Sequence, residues 1–290
     1  MTKAARERPS SSFGSSNLRR VATVATTHFA DRLADAVERK RSQLVVGLDP
    51  LPDHLPVELR GEVHTGREEA AAACERFCRG LVDAVAPYVV AVKPQVAFFE
   101  ALGADGIRAL EDVCAYSRAA GLQVIADGKR GDIGSTARAY ATAFLEGDPP
   151  LADALTVNPY LGRDSIEPFL AVWQHVARLV QEWGEDLLGE HGLSAVGAVI
   201  GATHPRAVGE ARRLLPRSIL LLPGVGAQGA TPADVARAFT SGPASALVNV
   251  SRDVIYAFRV SGMEWRSAAA AEASRWRRRR SSRPRRSRCC

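Results

Sequence analysis

Short apolar runs alternate with amphipathic stretches along most of this chain. Leu44–Leu48 is apolar throughout and closes on Asp49-Pro50, and a helical pattern follows from about Glu68 to Val85. Tyr88–Val92 ends in Lys93-Pro94-Gln95 and leads into helical spacing from about Phe98 to Ala120. Leu122–Ala126 ends at Asp127, a helix is expected from about Ser135 to Glu146, and Ala154–Val157 ends at Asn158-Pro159-Tyr160. Three further runs, Ala195–Ile200, Ile219–Leu222 and Ala246–Val250, end at Gly201-Ala202-Thr203, at Pro223-Gly224 and at Ser251-Arg252. Runs this short, bounded by turn residues, predict strands, and the three/four spacing between them predicts helices. An amphipathic segment, His28–Lys40, precedes the first strand with Phe29, Leu33, Ala36 and Val37 on one face, and Met263 to about Ser274 reads as a final helix.

Strands alternating with helices run parallel, joined by right-handed crossovers. Most of these strands are apolar on both faces, as strands covered on both sides must be, and polar groups or glycines arrive where each one ends. That is the pattern of an α/β protein of the (β/α)8 TIM-barrel type, with its site on the carboxyl rim. An open doubly wound sheet is the rival, but no Gly-x-Gly-x-x-Gly follows the first strand. Seven strands are found where a closed barrel wants eight. Between Asp164 and Leu193, Phe169, Trp173, Val176, Val180, Trp183 and Leu187 keep a three/four spacing that predicts one long helix, so the barrel is expected to lack its fifth strand.

Composition is that of an ordinary globular protein, with 46% hydrophobic and 24% charged residues. The net charge of +6 is misleading until it is located, because Arg275–Arg288 holds nine arginines and no acid. Residues 275–290 are expected to be a disordered basic tail that touches nucleic acid only non-specifically, and residues 1–26 a disordered extension. The barrel domain then spans 27–274. No apolar run is long enough for a membrane span, and no apolar h-region follows the basic start. Cys74 and Cys78 lie one helical turn apart, Cys114 stands alone, and Cys289 and Cys290 are terminal. This is no disulfide framework, and a reduced, cytoplasmic protein with no metal site is expected.

Ionisable residues concentrate in Val124–Ser135, where Asp127, Lys129 and Asp132 are interleaved with Gly128, Gly131 and Gly134. Asp127 and Lys129, two apart, share a face if the strand persists. Charges this close shift one another's pKa values and suit a site, although a solvated, salt-bridged turn is the plainer alternative. A phosphate in such barrels commonly sits after the seventh and eighth strands; here those loops are Gly224–Gly229, with Gln228 as a neutral donor, and Ser251-Arg252. Arg252 could clamp an anion with its forked guanidinium. Asn158 and Thr203 are polar rim residues with no assigned role.

The run Asp127-Gly128-Lys129-Arg130-Gly131-Asp132-Ile133 resembles the signature of the orotidine 5′-phosphate decarboxylases, most closely their second bacterial type. Val92–Glu100 before it and Leu222–Gly229 after it resemble the same family, in the same order. The resemblance implies a cofactor-free decarboxylation of orotidine 5′-phosphate to UMP in pyrimidine biosynthesis. It implies that Lys93, Asp127, Lys129 and Asp132 form a charge array, with Lys129 the proton donor to C6 of the pyrimidine. It also implies a homodimer in which Asp132, Ile133 and Thr136 reach into the partner's site. Asp49 would contact the ribose, and Gln228 and Arg252 the phosphate. Loss of CO2 leaves a carbanion that a fixed ammonium can stabilise and protonate, and flanking carboxylates keep that ammonium charged.

Two departures from the family pattern stand out. The resemblance implies a fifth strand and a Ser/Thr-Asn-Pro turn that contacts the base; neither is found here, so the barrel is expected to be gapped or distorted there, with base recognition and stability both impaired. The Arg-rich stretch after Arg266 replaces the amphipathic end of the last helix. Two other readings therefore stay open. One is a magnesium-dependent sugar-phosphate enzyme of the same superfamily, sharing Asp-x-Lys-x-x-Asp. The other is an inactive gapped barrel that serves as a binding protein.

Overall fold

The structure, a computed structural model, describes residues 28–60, 66–132, 134–147, 149–158, 172–226 and 229–281. It begins with α1 (Phe29–Lys40) and β1 (Leu44–Leu48), followed by the short α2 (Val57–Arg60), α3 (Arg67–Val85) and β2 (Ala91–Pro94). Next come α4 (Val96–Glu100), α5 (Gly103–Ala119), β3 (Gln123–Arg130), α6 (Gly134–Leu145) and β4 (Ala154–Val157). The rest comprises α7 (Val172–Gly184), β5 (Ser194–Val199), α8 (Pro205–Leu214), β6 (Ser218–Pro223), β7 (Ala246–Val250), α9 (Arg252–Ile255), α10 (Phe258–Ser261) and α11 (Trp265–Ser281). All sheet pairings are parallel, in the order β4-β3-β2-β1-β7-β6-β5. Among the described residues the sheet has seven strands, and β4 and β5 stand at its two edges.

Successive strand residues point to opposite faces, and the two faces bury different cores. Leu44, Val46 and Leu48 of β1, Val124 and Ala126 of β3, and Ala246, Val248 and Val250 of β7 pack outward against the helices, where Phe77, Leu81 and Val113 lie fully buried. Val45, Ala91, Ile125, Leu221 and Leu247 point inward and form a second core with α1. Apart from Leu221, these inward residues lie toward the starts of their strands, as does Ile219 of β6, so α1 plugs the amino-terminal mouth of the curled sheet.

Three sets of polar contacts fix the plug. Arg32 donates to the Asp153 carboxylate at 2.7 Å and to Gln123 at 3.2 Å. Lys40 Nζ donates to the carbonyls of Ala86 and Val89, both at 2.9 Å. Asp31, 6% exposed, accepts the backbone N–H groups of Glu190 at 2.9 Å and His191 at 3.0 Å. Gly189 permits that approach, because a Cβ there would stand 2.4 Å from both Asp31 oxygens.

Three expectations need correction. The long helix expected from the Phe169–Leu187 pattern stops at Gly184, and residues 159–171 lie outside the described residues. It stops because β5 competes for its end: the Ser194 hydroxyl donates to the Gly184 carbonyl at 3.1 Å and Ala195 N–H to Leu187 O at 2.9 Å. The helix expected over Phe98–Ala120 is two, α4 and α5, because the chain turns through Gly103 at φ 70°. The last helix continues to Ser281, seven residues into the segment expected to be disordered. Trp276 explains this: it is 3% exposed in the outer core, and Arg277 lies 5.6 Å from the Tyr88 ring centroid. Residues 1–26 and 282–290 lie outside the described residues.

The Asp31 contacts predict a pH dependence. The N–H of His191 draws the Asp31 carboxyl down, burial opposes it, and the N–H of Glu190 and the nearby His28 and His191 bring it below its ordinary 3.8. A lowered carboxyl contributes stability above the unfolded-state value and loses it as pH falls through the folded-state value. Asp31→Asn therefore lowers the melting temperature at neutral pH, and its deficit against wild type narrows as pH falls below 3.8. Melting curves across this range check it; a deficit that stays constant refutes it.

Candidate active site

The inward face that is apolar at the strand starts turns polar at their ends. Val45 leads on to Gly47 and Asp49, Ala91 to Lys93 and Gln95, and Ile125 to Asp127, after which Lys129 turns out of extended backbone. Ala154 leads to Thr156 and Asn158, and Leu247 to Asn249 and Ser251. Period-two alternation thus gathers five strands' polar termini at one mouth. They line a cavity of about 810 Å³, whose walls include Asp49, Lys93, Asp127, Lys129, Asn158 and Arg252.

Asp127 is the centre of this arrangement. Its Oδ2 accepts from Lys93 Nζ at 2.5 Å and from Gln95 Nε2 at 3.0 Å. Its Oδ1 accepts from Lys129 Nζ at 2.6 Å and from the Thr156 hydroxyl at 2.9 Å. Burial pushes the Asp127 carboxyl up, but the charge of Lys93 and the hydrogen bonds from Lys129, Lys93 and Thr156 outweigh it and hold the group below its ordinary range. The two lysines differ in access: the Lys93 side chain is 7% exposed and that of Lys129 is 54% exposed. Both line the cavity, Lys93 buried in its wall and Lys129 open to its interior.

Asp49 shows the opposite balance. Burial pushes its carboxyl up, and the charge of Lys93 and a hydrogen bond with Ser251 offset this only in part. Asp49 Oδ1 and Asn249 Oδ1 are buried with no hydrogen-bond partner. A buried acceptor left unpaired costs about 1–3 kcal/mol, so both are suited to a ligand's hydroxyl groups.

The glycine turn after β6 is built on left-handed backbone, with Gly224 at φ 101°, Gly226 at 90° and Gly229 at 92°. It uses several of its own amides: Gly226 N–H donates to Ala230 O at 3.0 Å, Gly229 N–H to Gly226 O at 2.7 Å, and Ala230 N–H to Gly224 O at 3.2 Å. The exposed Arg252, opening α9, adds a cation where this part of the rim meets the cavity.

The structure thus brings Asp49, Lys93, Asp127, Lys129 and Arg252 around one cavity. Asp132 and Thr136 do not line it; they are exposed around the start of α6. Gln228 and Ile133 lie outside the described residues. Sequence reasoning assigned no role to Gln95, Thr156, Asn158 or Asn249. The signal was present, since each occupies the inward register two or four residues past an apolar inward position. Among the described residues no group of three or more His, Cys, Asp or Glu side chains is placed to hold a metal ion.

Residues 42–181 match the family described as Orotidine 5'-phosphate decarboxylase / HUMPS. An orotidine 5'-phosphate decarboxylase of Rhodopirellula baltica is 42% identical, the alignment covering 86% of this chain and 93% of that protein. One of Deinococcus radiodurans is 39% identical over 85% of this chain and 96% of that one. The solved OMP decarboxylase of Leishmania donovani superposes with a TM-score of 0.63 at 29% identity, covering 89% of this chain and all of that one. The Rhodopirellula alignment spans 286 positions but takes in only 86% of 290 residues, about 249, so roughly 37 of its positions have no counterpart here.

Removing the central carboxylate tests the electrostatic account. Breaking a buried ion pair from one side costs about 3–5 kcal/mol, because the other charge is left uncompensated. Asp127→Ala should lower the unfolding free energy by about that amount, measured by chemical denaturation. A loss below about 1 kcal/mol would show that Lys93 is not held as a buried charge.

Proposed function

The chain belongs to the orotidine 5′-phosphate decarboxylase family, and on that footing we propose that the Lys93–Asp127–Lys129 array removes CO2 from orotidine 5′-phosphate to leave UMP, with Lys129 as the proton donor. The convergence of two ammonium groups on one buried carboxylate, at the mouth of a nucleotide-sized cavity, carries this reading.

The chemistry follows from the charges. Carbon dioxide departs with the bond's electron pair left behind, so negative charge develops on the ring carbon. A cation fixed beside that carbon stabilises the charge without reorganising, and Lys129 Nζ is held in place by Asp127 at 2.6 Å. The same ammonium transfers a proton to the carbon, closing the reaction as a general acid. Lys93, fixed from below, compensates the Asp127 charge and fixes the carboxylate that positions Lys129. Asp49 and Asn249 supply acceptors for the ribose hydroxyls, and Arg252, with Gln228, grips the phosphate. That grip is remote from the reacting carbon, so its binding energy can be used to orient the base.

In this reading Asp132 and Thr136 serve the partner's site in a homodimer, which fits their exposure outside the chain's own cavity. On the same reading the enzyme works in the cytoplasm, a reducing compartment that suits Cys74, Cys78 and Cys114, which are buried and unbridged. Among the described residues no helix is long and apolar enough to cross a membrane.

Two experiments test the proposal. Purified full-length protein is expected to convert orotidine 5′-phosphate to UMP, followed by ultraviolet absorbance, with the rate unchanged by EDTA. Lys129→Ala is expected to fall to the uncatalysed rate; equal rates for wild type and variant would overturn the assignment, and loss of activity in EDTA would favour a metal-dependent enzyme. The shared-site arrangement predicts complementation. Mixing inactive Lys129→Ala with inactive Asp132→Ala should restore about a quarter of wild-type activity, because half of the re-formed dimers carry one intact site. No recovery after verified subunit exchange would place Asp132 in its own subunit's site.

A further inference from the structure

Lys129 has φ 46°, in the left-handed region that a side chain with a Cβ rarely enters. Such a residue is strained relative to ordinary backbone and persists only where neighbours hold it. Here the neighbours are on β4. The Lys129 N–H donates to the Thr156 hydroxyl oxygen at 3.0 Å, and the Asn158 side-chain amide donates to the Lys129 carbonyl at 3.2 Å. Asn158 N–H donates in turn to Arg130 O at 2.7 Å. The β3–β4 pairing slips its register between Ala126 and Arg130, which lets β4 grip the lysine's backbone at both its N–H and its carbonyl.

Thr156 does more than hold the turn. Its hydroxyl accepts from the Lys129 backbone and donates to Asp127 Oδ1 at 2.9 Å, the same oxygen that receives the Lys129 ammonium at 2.6 Å. One hydroxyl can be donor and acceptor at once, and here it closes a ring from the Lys129 amide through Asp127 to the Lys129 ammonium. The backbone conformation that aims the ammonium and the carboxylate that receives it are set by the same atom.

We infer that Thr156 is a positioning residue for the decarboxylation: its hydroxyl locks the left-handed turn at Lys129 to the Asp127 carboxylate and so fixes where the ammonium stands over the substrate. Asn158 is the second half of the clamp. This rests on the reading of Lys129 as proton donor. Displacing a reacting group by about 1 Å can cost roughly a hundredfold in rate, and releasing this turn would produce a displacement of that order. Substrate affinity should hardly change, because Asp49 and Arg252 are carried by other strands.

The test uses the full chain with Thr156→Val, which keeps the shape and removes the hydroxyl, and Thr156→Ser, which keeps the hydroxyl. The valine variant is expected to lose roughly ten- to a hundredfold in kcat with KM within about threefold of wild type. The serine variant should stay within about threefold of wild type in both. A second readout does not need turnover: the Asp127 carboxyl followed by 13C NMR against pH. Losing a hydrogen-bond donor to the ionised form should move its titration upward in the valine variant and leave it in place in the serine variant. The inference is overturned by a valine variant with kcat within threefold of wild type, by a serine variant as slow as the valine one, or by an Asp127 titration that does not move. If the wild type itself fails to turn over, the functional reading falls and the titration alone decides whether the hydroxyl couples Lys129 to Asp127.

Discussion

A single buried carboxylate, Asp127, organises the carboxyl end of this sheet. It receives two ammonium groups, an amide and a hydroxyl, drawn from β2, β3 and β4 and the turns that follow them. None of these partners could be buried alone: an isolated ammonium at the depth of Lys93 would be costly without an opposing charge. The strands are therefore tied together at their ends as firmly as their apolar residues tie them along their length. The result is a rigid cation, Lys93, below a reachable one, Lys129, with the negative charge that separates them fixed in between.

The two edges of the described sheet gain significance beside this site. The strands that supply it are β4, β3, β2, β1 and β7, which are neighbours in that order. The sheet edge at β4 thus lies beyond the charged array rather than across it, and β6, which carries the glycine turn, lies on its other side next to β7. The acidic and basic machinery keeps its geometry although seven strands are described where the barrel pattern has eight.

The plug at the other end uses the same logic. Asp31, Arg32 and Lys40 each hold backbone or side-chain partners at the starts of the strands, so α1 is fixed around its circumference. An apolar plug at the bottom and a polar ring at the top follow from the same inward register.

Much of this was legible in the chain alone. Apolar runs such as Leu44–Leu48 and Ala246–Val250 bounded by turn residues determined the strands, because strand length and two-sided burial are local properties of composition. Which ionisable residues stand at the strand ends was equally plain, and the Asp127, Lys129, Lys93 and Asp49 positions followed from it. Only the tertiary structure decided that Lys129 leaves the extended region, that Thr156 and Asn158 hold it there, and that Trp276 docks and carries a helix into the basic tail. Those outcomes depend on a register slip between two strands and on contacts between segments far apart in the chain. A pattern of neighbours encodes which face a residue takes, but not which distant hydroxyl will be waiting on that face.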